Sequence, residues 1–352
     1  MSPTLLHLLY NLSPVALIGV AVLVFLRARQ TPLWGEAFRR LARNPSARAA
    51  MAVIAIYATI GIADSIGWYD SATQERRTVI DAIFERKPER TYSAPLAEMT
   101  TGEAKPQKIR EKHILGTDSI GADVFYRTLK GVRTAFQIGG MTVLIVTPLG
   151  IALAVGSHRM RGKLSSGVQG LTSIPLITPE IVVGAALLLT ITRLFSGIPL
   201  GFPAQLLGNI TFSISAVVVI VRARLVSIGS GFEEAARDLG ATRLQALRFV
   251  LMPMLWPSVM ASLVVVFATV IDDFVITSFL SAGVDSETVP LRIYSSVRGG
   301  ATPALNALAT LLVATTFAAL TIALFALSQW RKRHGEPGGI RAALADITRM
   351  GE

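Results

Sequence analysis

The chain has 352 residues, of which 51% are hydrophobic and 16% charged, and its mean hydropathy of +0.53 is too high for an ordinary soluble domain. Lys and Arg outnumber Asp and Glu by 34 to 23, but they cluster in short loops between apolar stretches, which indicates membrane topology and not a nucleic-acid-binding face. The chain contains no cysteine, which excludes disulfides, thiolate metal sites and a cysteine nucleophile.

Long apolar stretches recur along the chain. A helix of about 20 apolar residues crosses the ~30 Å hydrocarbon core and satisfies its own backbone there. The runs are continuous and do not alternate, which argues against a β-barrel. We therefore predict an all-α integral membrane protein. The predicted spans lie at about residues 5–26, 49–68, 134–155, 167–192, 207–225, 257–281 and 304–330.

The positions of Lys and Arg predict the orientation of these spans. Basic loops follow the first, third, fifth and seventh spans, so alternate threading places them all on one side, the cytoplasm. The N-terminus is then outside, the C-terminus inside, and residues 70–130 form a long external segment. The basic residues are Arg27, Arg29, Arg39, Arg40, Arg43, Arg48, Arg159, Arg161, Lys163, Arg222, Arg224, Arg237, Arg243, Arg248, Arg331, Lys332 and Arg333.

We divide the chain into four parts. Residues 1–48 are an extra N-terminal transmembrane helix with a basic cytoplasmic loop, and 49–133 are the first core helix with an external insert. Residues 134–330 are the remainder of a six-helix core, which includes a cytoplasmic loop at 226–256, and 331–352 are a cytoplasmic tail.

The first part has one alternative, a cleaved signal peptide. Its Arg-rich stretch follows the apolar run and no small-residue cleavage site is evident, so we predict a retained helix. In the external insert, the segment from Gln74 to Glu111 is polar, carries charges of both signs and contains several prolines. Such a composition predicts a partly irregular insert and not an independent domain.

The loop between the fifth and sixth spans has the pattern of two helices joined by a glycine. Ser230 is placed to cap the first helix, Glu234 suits the positive end of its dipole, and Gly240 is placed to end it. A second helix, at about Arg243–Leu255, leads into the sixth span with Pro253 near its entry, where we expect a kink. A knob that docks on a soluble partner and an amphipathic loop at the headgroups both fit this pattern.

This loop also resembles the EAA loop of the permeases of binding-protein-dependent ABC importers. The family pattern is Glu-Ala-Ala, a glycine six residues after the Glu, then an aliphatic residue, any residue, Leu and Pro. In the family the loop inserts into a groove on the ATPase subunit, so the resemblance implies that the matching residues couple the two proteins. They are Glu234, Ala235, Ala236, Gly240, Val250 and Pro253, with Met252 where Leu is usual.

The resemblance implies the rest of the assembly as well. It implies a six-helix permease core, to which this chain adds its N-terminal helix, in a bacterial or archaeal cytoplasmic membrane. The implied partners are ABC ATPase subunits that hold ATP and magnesium, a second permease subunit that is identical or a paralogue, and an extracytoplasmic solute-binding protein.

The chain itself has no evident nucleotide or metal site. The nearest approach to a phosphate-binding loop, Gly156 to Leu164, has one residue too many before Gly162 and a leucine where Ser or Thr should bind magnesium. The histidines are scattered, so neither a metal site nor a histidine-based catalytic set emerges, and we predict a transport subunit and not an enzyme. They are His7, His113, His158 and His334.

Two further resemblances bear on the substrate. His113 to Asp118, with Gly121, is similar to the external entry segment of dipeptide and oligopeptide permeases, where we expect a tight turn. From Leu171 onward the chain instead resembles spermidine and putrescine permeases, and we give this more weight because the substrate path should lie within the bundle. The polyamine-like segments are 173–180, 272–275, 289–294 and 306–310.

A peptide importer remains the alternative to a polyamine importer. An ion-gradient transporter is less favoured, because no internal repeat is evident in the sequence.

From Leu171 onward, three acidic residues lie within predicted spans. Glu180 is in the fourth span, and Asp272 and Asp273 are toward the outer end of the sixth. Carboxylates inside a membrane are costly and usually face a cavity or a partner charge, so these three are candidates for a path that attracts a polycation. The alternatives are pairing with Arg193, Arg222 or a partner subunit, and aspartates that only reach the outer headgroups.

Overall fold

The computed structural model describes residues 45–69, 76–100, 107–118, 120–160, 162–283, 286–298 and 306–315, with isolated positions at 19, 303, 317–318, 321 and 325. The chain separates into two compact units. One comprises residues 1–133 and 295–352, and the other is Thr134–Tyr294. The predicted span at 5–26, the tail at 331–352 and most of the span at 304–330 lie outside the described residues.

The first unit contains a helix and a small sheet. Helix α1, Pro45–Ser65, agrees with the predicted span at 49–68. Strands β1, Gly67–Tyr69, and β2, Arg76–Thr78, pair antiparallel with Trp68 opposite Arg77, and helix α2, Val79–Phe84, follows. The other described residues of the insert, up to the start of the next helix, lie in turns and isolated bridges.

Long apolar helices dominate the rest of the described chain. Helix α3, Val124–Arg159, begins before the predicted span at 134–155, and helix α6, Phe202–Ile228, contains the predicted span at 207–225. Among the described residues, three helices are long and apolar enough to cross a membrane, and a bent pair makes a fourth. Further helices are α4 Lys163–Ile177, α5 Glu180–Arg193, α7 Gly231–Asp238, α8 Arg243–Ala246, α9 Met252–Asp272, α10 Val275–Leu280 and α11 Val289–Arg298. The described part of the predicted span at 304–330 includes the apolar helix α12, Asn306–Thr315.

The predicted span at 167–192 corresponds to a bent pair of helices and not to one continuous helix. The segment is broken into α4 and α5, whose axes differ by 107°. Pro179 lacks an N–H and disfavours helical backbone at the preceding residue, and Thr178 is accordingly extended, with φ −77° and ψ 134°. The break places Glu180 in the first turn of α5.

The predicted span at 257–281 is also interrupted. Helix α9 ends at Asp272, Asp273 is extended with φ −64° and ψ 121°, and the short helix α10 follows. This interruption, together with the break before Glu180, determines the geometry of the acidic site.

The core of the second unit is an apolar cluster between α3, α6 and α9. Its most buried members include Val146 on α3, Val217 and Val221 on α6, and Leu255 and Val266 on α9. Burying a side chain of this size stabilises a fold in water by about 1.5–3 kcal/mol, whereas between helices in lipid the packing itself supplies the energy. Helix α10 packs against α5 and α6.

Candidate functional site

The first four residues of the EAA-like pattern, Glu234, Ala235, Ala236 and Gly240, lie in an exposed helical hairpin, residues 231–246, made of α7 and α8. Ser230 occupies the N-cap position of α7, but its hydroxyl caps no backbone N–H, so the predicted side-chain cap is wrong. Its φ of −87° and ψ of −17° are helical, whereas a capping serine needs extended backbone. The Ser230 carbonyl instead accepts the N–H groups of Glu233 and Glu234, both at 3.0 Å.

Gly240 ends α7 as predicted. Its φ is +91°, a left-handed conformation that side chains disfavour. The Ala241 N–H donates to the Ala236 carbonyl at 3.0 Å and the Gly240 N–H donates to the Arg237 carbonyl at 2.9 Å. These two bonds form a Schellman motif, which satisfies the last carbonyls of the helix and fixes the turn.

The start of the second helix has a cap that the sequence analysis missed. The Gln245 N–H donates to Thr242 Oγ1 at 3.3 Å, and the Thr242 N–H donates to Gln245 Oε1 at 2.8 Å. This is a capping box, and its signal, a Thr followed three residues later by a Gln, is present in the sequence. Both helices of the hairpin are therefore fixed at the glycine turn.

The kink predicted near Pro253 takes the form of a widened turn. The helix runs from Arg243 to Asp272, with a π-helical segment, Leu247–Leu251, before Pro253. The proline has no N–H to donate, and its ring clashes with the carbonyl four residues earlier in a regular α-helix, which the wider turn relieves. Val250 lies in the π-helical segment and Pro253 lies in the first turn of α9. The last two matched residues of the EAA-like pattern are therefore at the start of α9.

The surface of the hairpin is suited to contact with another protein. It exposes large apolar side chains, and Leu239 at the glycine turn is 90% exposed. Glu234 and Ala235 are exposed, and Ala236 is partly exposed. The other exposed apolar residues in and just after the hairpin are Phe232, Leu244 and Phe249. A depression of about 390 Å³ is lined by Glu234, Arg237, Asp238, Gly240, Ala241 and Thr242.

An ion pair connects the hairpin to helix α3. The Arg159 guanidinium is 2.7 Å from the Glu233 carboxylate, and both side chains are partly exposed. Arg159 is the last residue of α3, so the ion pair joins the hairpin to a long apolar helix that is distant from it in sequence.

The second candidate site centres on Asp273, which caps α10. Its carboxylate accepts the N–H of Ile276 at 3.1 Å and that of Thr277 at 3.2 Å. It also accepts the Thr277 hydroxyl at 2.9 Å and the Asn209 side-chain amide at 3.4 Å. Asp273 is 7% exposed, and neighbouring Asp272 is exposed.

Glu180 meets Asp273 at the break between α4 and α5. The two carboxyl groups lie near each other, because Glu180 begins α5, Asp273 precedes α10, and α5 packs against α10. One turn after Glu180, a side chain on Gly184 would come within 2.7 Å of the Phe279 ring, so the absence of one lets α5 approach α10 closely. The structure therefore brings Glu180 and Asp273 together as one acidic pair.

The pairings with Arg193 and Arg222 that the sequence left open do not fit this geometry. Arg193 is at the opposite end of α5 from Glu180, about 20 Å away at 1.5 Å per residue. Arg222 is a similar distance along α6 from Asn209, which contacts Asp273.

Gln205 and Asn209 are site residues that the sequence analysis missed. Gln205 is fully buried, and its Nε2 donates to the carbonyls of Ser286 at 3.0 Å and Thr277 at 3.4 Å. Asn209 Nδ2 donates to the Gln205 carbonyl at 3.1 Å as well as to Asp273. The sequence signal for these two residues is the presence of two side-chain amides four residues apart, and so on one face, in a mostly apolar helix.

Comparison with known proteins identifies the class of molecule. Residues 146–333 match the family described as the binding-protein-dependent transport system inner membrane component, which is more than half of the chain. The chain belongs to this family of transport permeases. The hairpin and the acidic pair both lie within the matched residues. The family assignment confirms the predicted resemblance, the membrane location and the expectation of a transport subunit and not an enzyme.

Relatives of this permease include the spermidine/putrescine transport system permease protein PotC of Haemophilus influenzae, 38% identical over 192 residues, which are 54% of this chain and 67% of the relative. PotC of Escherichia coli is 36% identical over 185 residues, 53% of this chain and 69% of the relative. The putrescine transport system permease protein PotI of Escherichia coli is 35% identical over 175 residues, 48% of this chain and 60% of the relative.

Among solved structures, this permease is similar to a bacterial alginate ABC transporter in complex with an alginate pentasaccharide-bound periplasmic protein. The identity is 20%, the TM-score is 0.46, and the match covers 60% of this chain and 80% of that chain. An amino acid ABC transporter with histidines matches with a TM-score of 0.42 at 19% identity, over 57% of this chain and 92% of that chain.

In the first unit of the permease, buried charges organise the insert. Lys130 Nζ lies 2.9 Å from Asp64 and 2.7 Å from Asp81. The Thr78 hydroxyl donates to Asp64 at 2.7 Å, and the Tyr126 hydroxyl donates to Asp81 at 2.8 Å. Burial alone would raise the pKa of Asp81, but the hydrogen bonds from Lys130 and Tyr126 outweigh it and lower that pKa below its ordinary 3.8.

The peptide-permease-like segment of the insert is held by similar contacts. His113 is 1% exposed, and its Nδ1 lies 2.7 Å from Asp123. Burial alone would lower the pKa of His113, but the hydrogen bond and charge of Asp123, together with Glu89, raise it above its ordinary 6.5. The predicted tight turn is present, since the Gly121 N–H donates to the Asp118 carbonyl at 2.9 Å and Gly121 has φ +77°.

Proposed function

We propose that this chain is the permease subunit of an ATP-driven ABC importer for a polyamine such as spermidine or putrescine. The observation that carries the proposal is the Glu180–Asp273 pair, two carboxyl groups at helix breaks within the family-matched residues. Carboxyl groups in a membrane domain favour a cationic substrate. The relatives named as spermidine/putrescine permeases, at 36% and 38% identity, support the same substrate class.

The peptide importer is the less favoured alternative. The side chains in the peptide-permease-like segment bind one another, with His113 against Asp123 and Asp118 Oδ2 3.0 Å from Arg127. These contacts give the side chains of the segment a structural role in the insert.

In the proposed mechanism, the hairpin docks in a groove of an ABC ATPase subunit, with Glu234, Ala235, Ala236 and Gly240 at the contact. The ATPase subunits hold ATP and magnesium, and ATP binding closes them against each other. Because α8 continues into α9, movement of the hairpin tilts the helix that ends beside Asp273. Val250 and Pro253 lie at the widened turn where this movement enters the span.

The remaining partners follow from the same proposal. A second permease subunit, identical or a paralogue, completes the pathway, and an extracytoplasmic solute-binding protein delivers the substrate. The chain lies in a bacterial or archaeal cytoplasmic membrane with its N-terminus outside and its C-terminus in the cytoplasm, as the basic loops favour. The proposed substrate site consists of Glu180 and Asp273, and Asp272 remains a prediction from sequence.

Uptake by the reconstituted importer tests this function. Proteoliposomes that contain this permease, its ATPase, its second permease subunit and the soluble binding protein should accumulate labelled spermidine or putrescine only with ATP inside. A labelled dipeptide serves as the comparison. ATP-dependent uptake of the dipeptide without uptake of either amine would replace the polyamine proposal with its alternative.

A further inference from the structure

The β1–β2 ribbon, directly after helix α1, has one outward side that is largely apolar. Residues opposite each other on paired strands lie on the same face of a sheet, and so do alternate residues of one strand. Trp68 is opposite Arg77, and the Val79 N–H donates to the Ile66 carbonyl at 3.1 Å, which continues the pairing by one step. These residues therefore share a face. Ile66 is 56% exposed and Trp68 is 46% exposed, so the face is turned to the surroundings of the protein.

Helix α2 extends this face. Ile83 follows Val79 by four residues, so both lie on one side of the helix. Ile83 is 53% exposed, whereas Ile80 and Asp81 on the other side of the helix are buried. The apolar side chains on the outward side of the ribbon and helix are called the apolar face of the insert below. They are Ile66, Trp68, Val79 and Ile83.

The inward side of the same elements is polar and buried. The Thr78 hydroxyl donates to Asp64 at 2.7 Å, and Lys130 Nζ lies 2.7 Å from Asp81. Thr78, Asp64 and Asp81 are all buried. A protein surrounded by water has the reverse arrangement, because charged groups lose their hydration when buried and apolar groups gain by burial. Charges turned inward and large apolar side chains turned outward indicate an apolar medium beside these elements.

The apolar face is continuous with the surface that helix α1 presents to lipid. Helix α1 ends at Ser65, Ile66 is the next residue, and α1 itself exposes Ile54 and Ile56. Tryptophan is enriched where membrane spans meet the lipid headgroups, because its ring is apolar and its N–H is polar. The position of Trp68, three residues after the end of α1, fits this preference.

The charge on the ribbon also fits a lipid surface. Arg77, opposite Trp68, is 3.4 Å from Glu85, so this ion pair adds no net charge. The long stem of an arginine packs on apolar surface while its guanidinium stays in the polar headgroup layer. The apolar face therefore needs no anionic lipid.

We propose that the apolar face of the insert lies in the headgroup region of the leaflet in which α1 ends, with its side chains against lipid. The inference goes beyond the proposed function and holds for any substrate. The face lies outside residues 146–333, so the family match gives it no role. Lipid contact holds the insert against the bilayer and leaves only its other surfaces available to a soluble partner. A protein that covers the face is the competing occupant.

Spin-label accessibility tests this placement. The chain has no cysteine, so one introduced cysteine carries one nitroxide. The labelled permease is reconstituted in phosphatidylcholine vesicles with partner subunits that have been made free of cysteine. Oxygen concentrates in lipid and a neutral nickel chelate stays in water, so the ratio of their relaxation effects reports the surroundings of the label. Labels on Ile66→Cys and Ile83→Cys should give a ratio several-fold above that of a label in water.

Two further labelled positions are the references. Ile56→Cys, on the exposed side of α1, reports lipid, and Glu98→Cys, at an exposed charged residue of the insert, reports water. All the labelled side chains are exposed, so the replacements leave the buried contacts in place. Thermal unfolding of each labelled complex checks that it is folded, and the two test positions report on the face independently.

The possible results separate lipid from the other surroundings. Ratios at Ile66→Cys and Ile83→Cys that match Ile56→Cys support contact with lipid. Ratios that match Glu98→Cys place the face in water and overturn the proposal. Labels shielded from both oxygen and the nickel chelate place the face against protein and overturn it as well. None of these results bears on the polyamine importer, which the uptake measurements test separately.

Discussion

The Arg159 guanidinium, at the last residue of α3, lies 2.7 Å from the Glu233 carboxylate in the first turn of α7. The hairpin is thereby attached to three long helices, covalently to α6 before it and to α9 through α8 after it, and by this ion pair to α3. A docking element that transmits force to the membrane needs such rigid attachment. Because the pair is partly exposed, we expect it to affect the position of the hairpin more than the stability of the fold.

Reversing one charge of this pair tests its role. Glu233→Arg should lower the amount of substrate transported per ATP hydrolysed, because two positive groups then repel at the base of the hairpin. The free energy of unfolding should change by no more than about 1 kcal/mol. The control is the double variant Arg159→Glu with Glu233→Arg, which restores opposite charges and should recover coupling. A double variant as defective as the single one would contradict the proposed role.

The left-handed conformation of Gly240 leads to a second prediction. Gly240→Val should displace the end of α7, since a β-branched residue at φ +91° is strained by about 1–2 kcal/mol or more. Added side-chain atoms have open space at this position, so the effect comes from the backbone and not from a clash. ATP hydrolysis and uptake, measured in the same proteoliposomes, should become uncoupled.

Asparagine is the matched control at this position, because it tolerates left-handed backbone better than other residues with side chains. Gly240→Asn should therefore retain most of the coupling. Unchanged transport by Gly240→Val would count against docking through this turn.

His113 gives the insert a dependence on pH. Its pKa is raised in the folded protein above the ordinary 6.5, so its stabilising contribution is fully present below about pH 6.5 and is lost as pH rises through the folded pKa. Hydrogen exchange of the 107–123 backbone should therefore accelerate with increasing pH by more than the intrinsic chemical rate. His113→Gln should remove this excess, and an unchanged excess would assign it to another group.

Lys130 is predicted to be essential to the stability of the insert. Its Nζ contacts both Asp64 and Asp81, of which Asp64 is 1% exposed. Lys130→Met leaves buried carboxylates without their main counter-charge, and we expect a loss of about 3 kcal/mol or more in thermal unfolding.

The matched control for Lys130 is Arg77→Met. It removes an exposed ion pair with Glu85, 3.4 Å long, and should cost no more than about 1 kcal/mol. Similar losses of unfolding free energy for the two variants would contradict the prediction that the buried contacts of Lys130 stabilise the insert more than an exposed ion pair does.

The sequence by itself determined the features that depend on local chemistry. Continuous apolar stretches predicted the membrane helices because burial of the backbone in lipid requires them. Gly240 predicted the hairpin turn because only the local backbone conformation is involved, and the Thr242–Gln245 cap could have been predicted in the same way. The spacing of the EAA-like residues was sufficient to indicate the family, which the match over 146–333 confirms.

Only the tertiary structure decided which acidic residues form a site. Asp272 and Asp273 are adjacent and chemically identical, and the end of α9 between them leaves one exposed and buries the other. Glu180 comes from a distant part of the chain, and the break at Pro179 and the close packing at Gly184 bring it to Asp273. The physical reason is that a local pattern specifies where a helix starts, turns and ends, whereas contact between distant carboxyl groups depends on how separate helices pack.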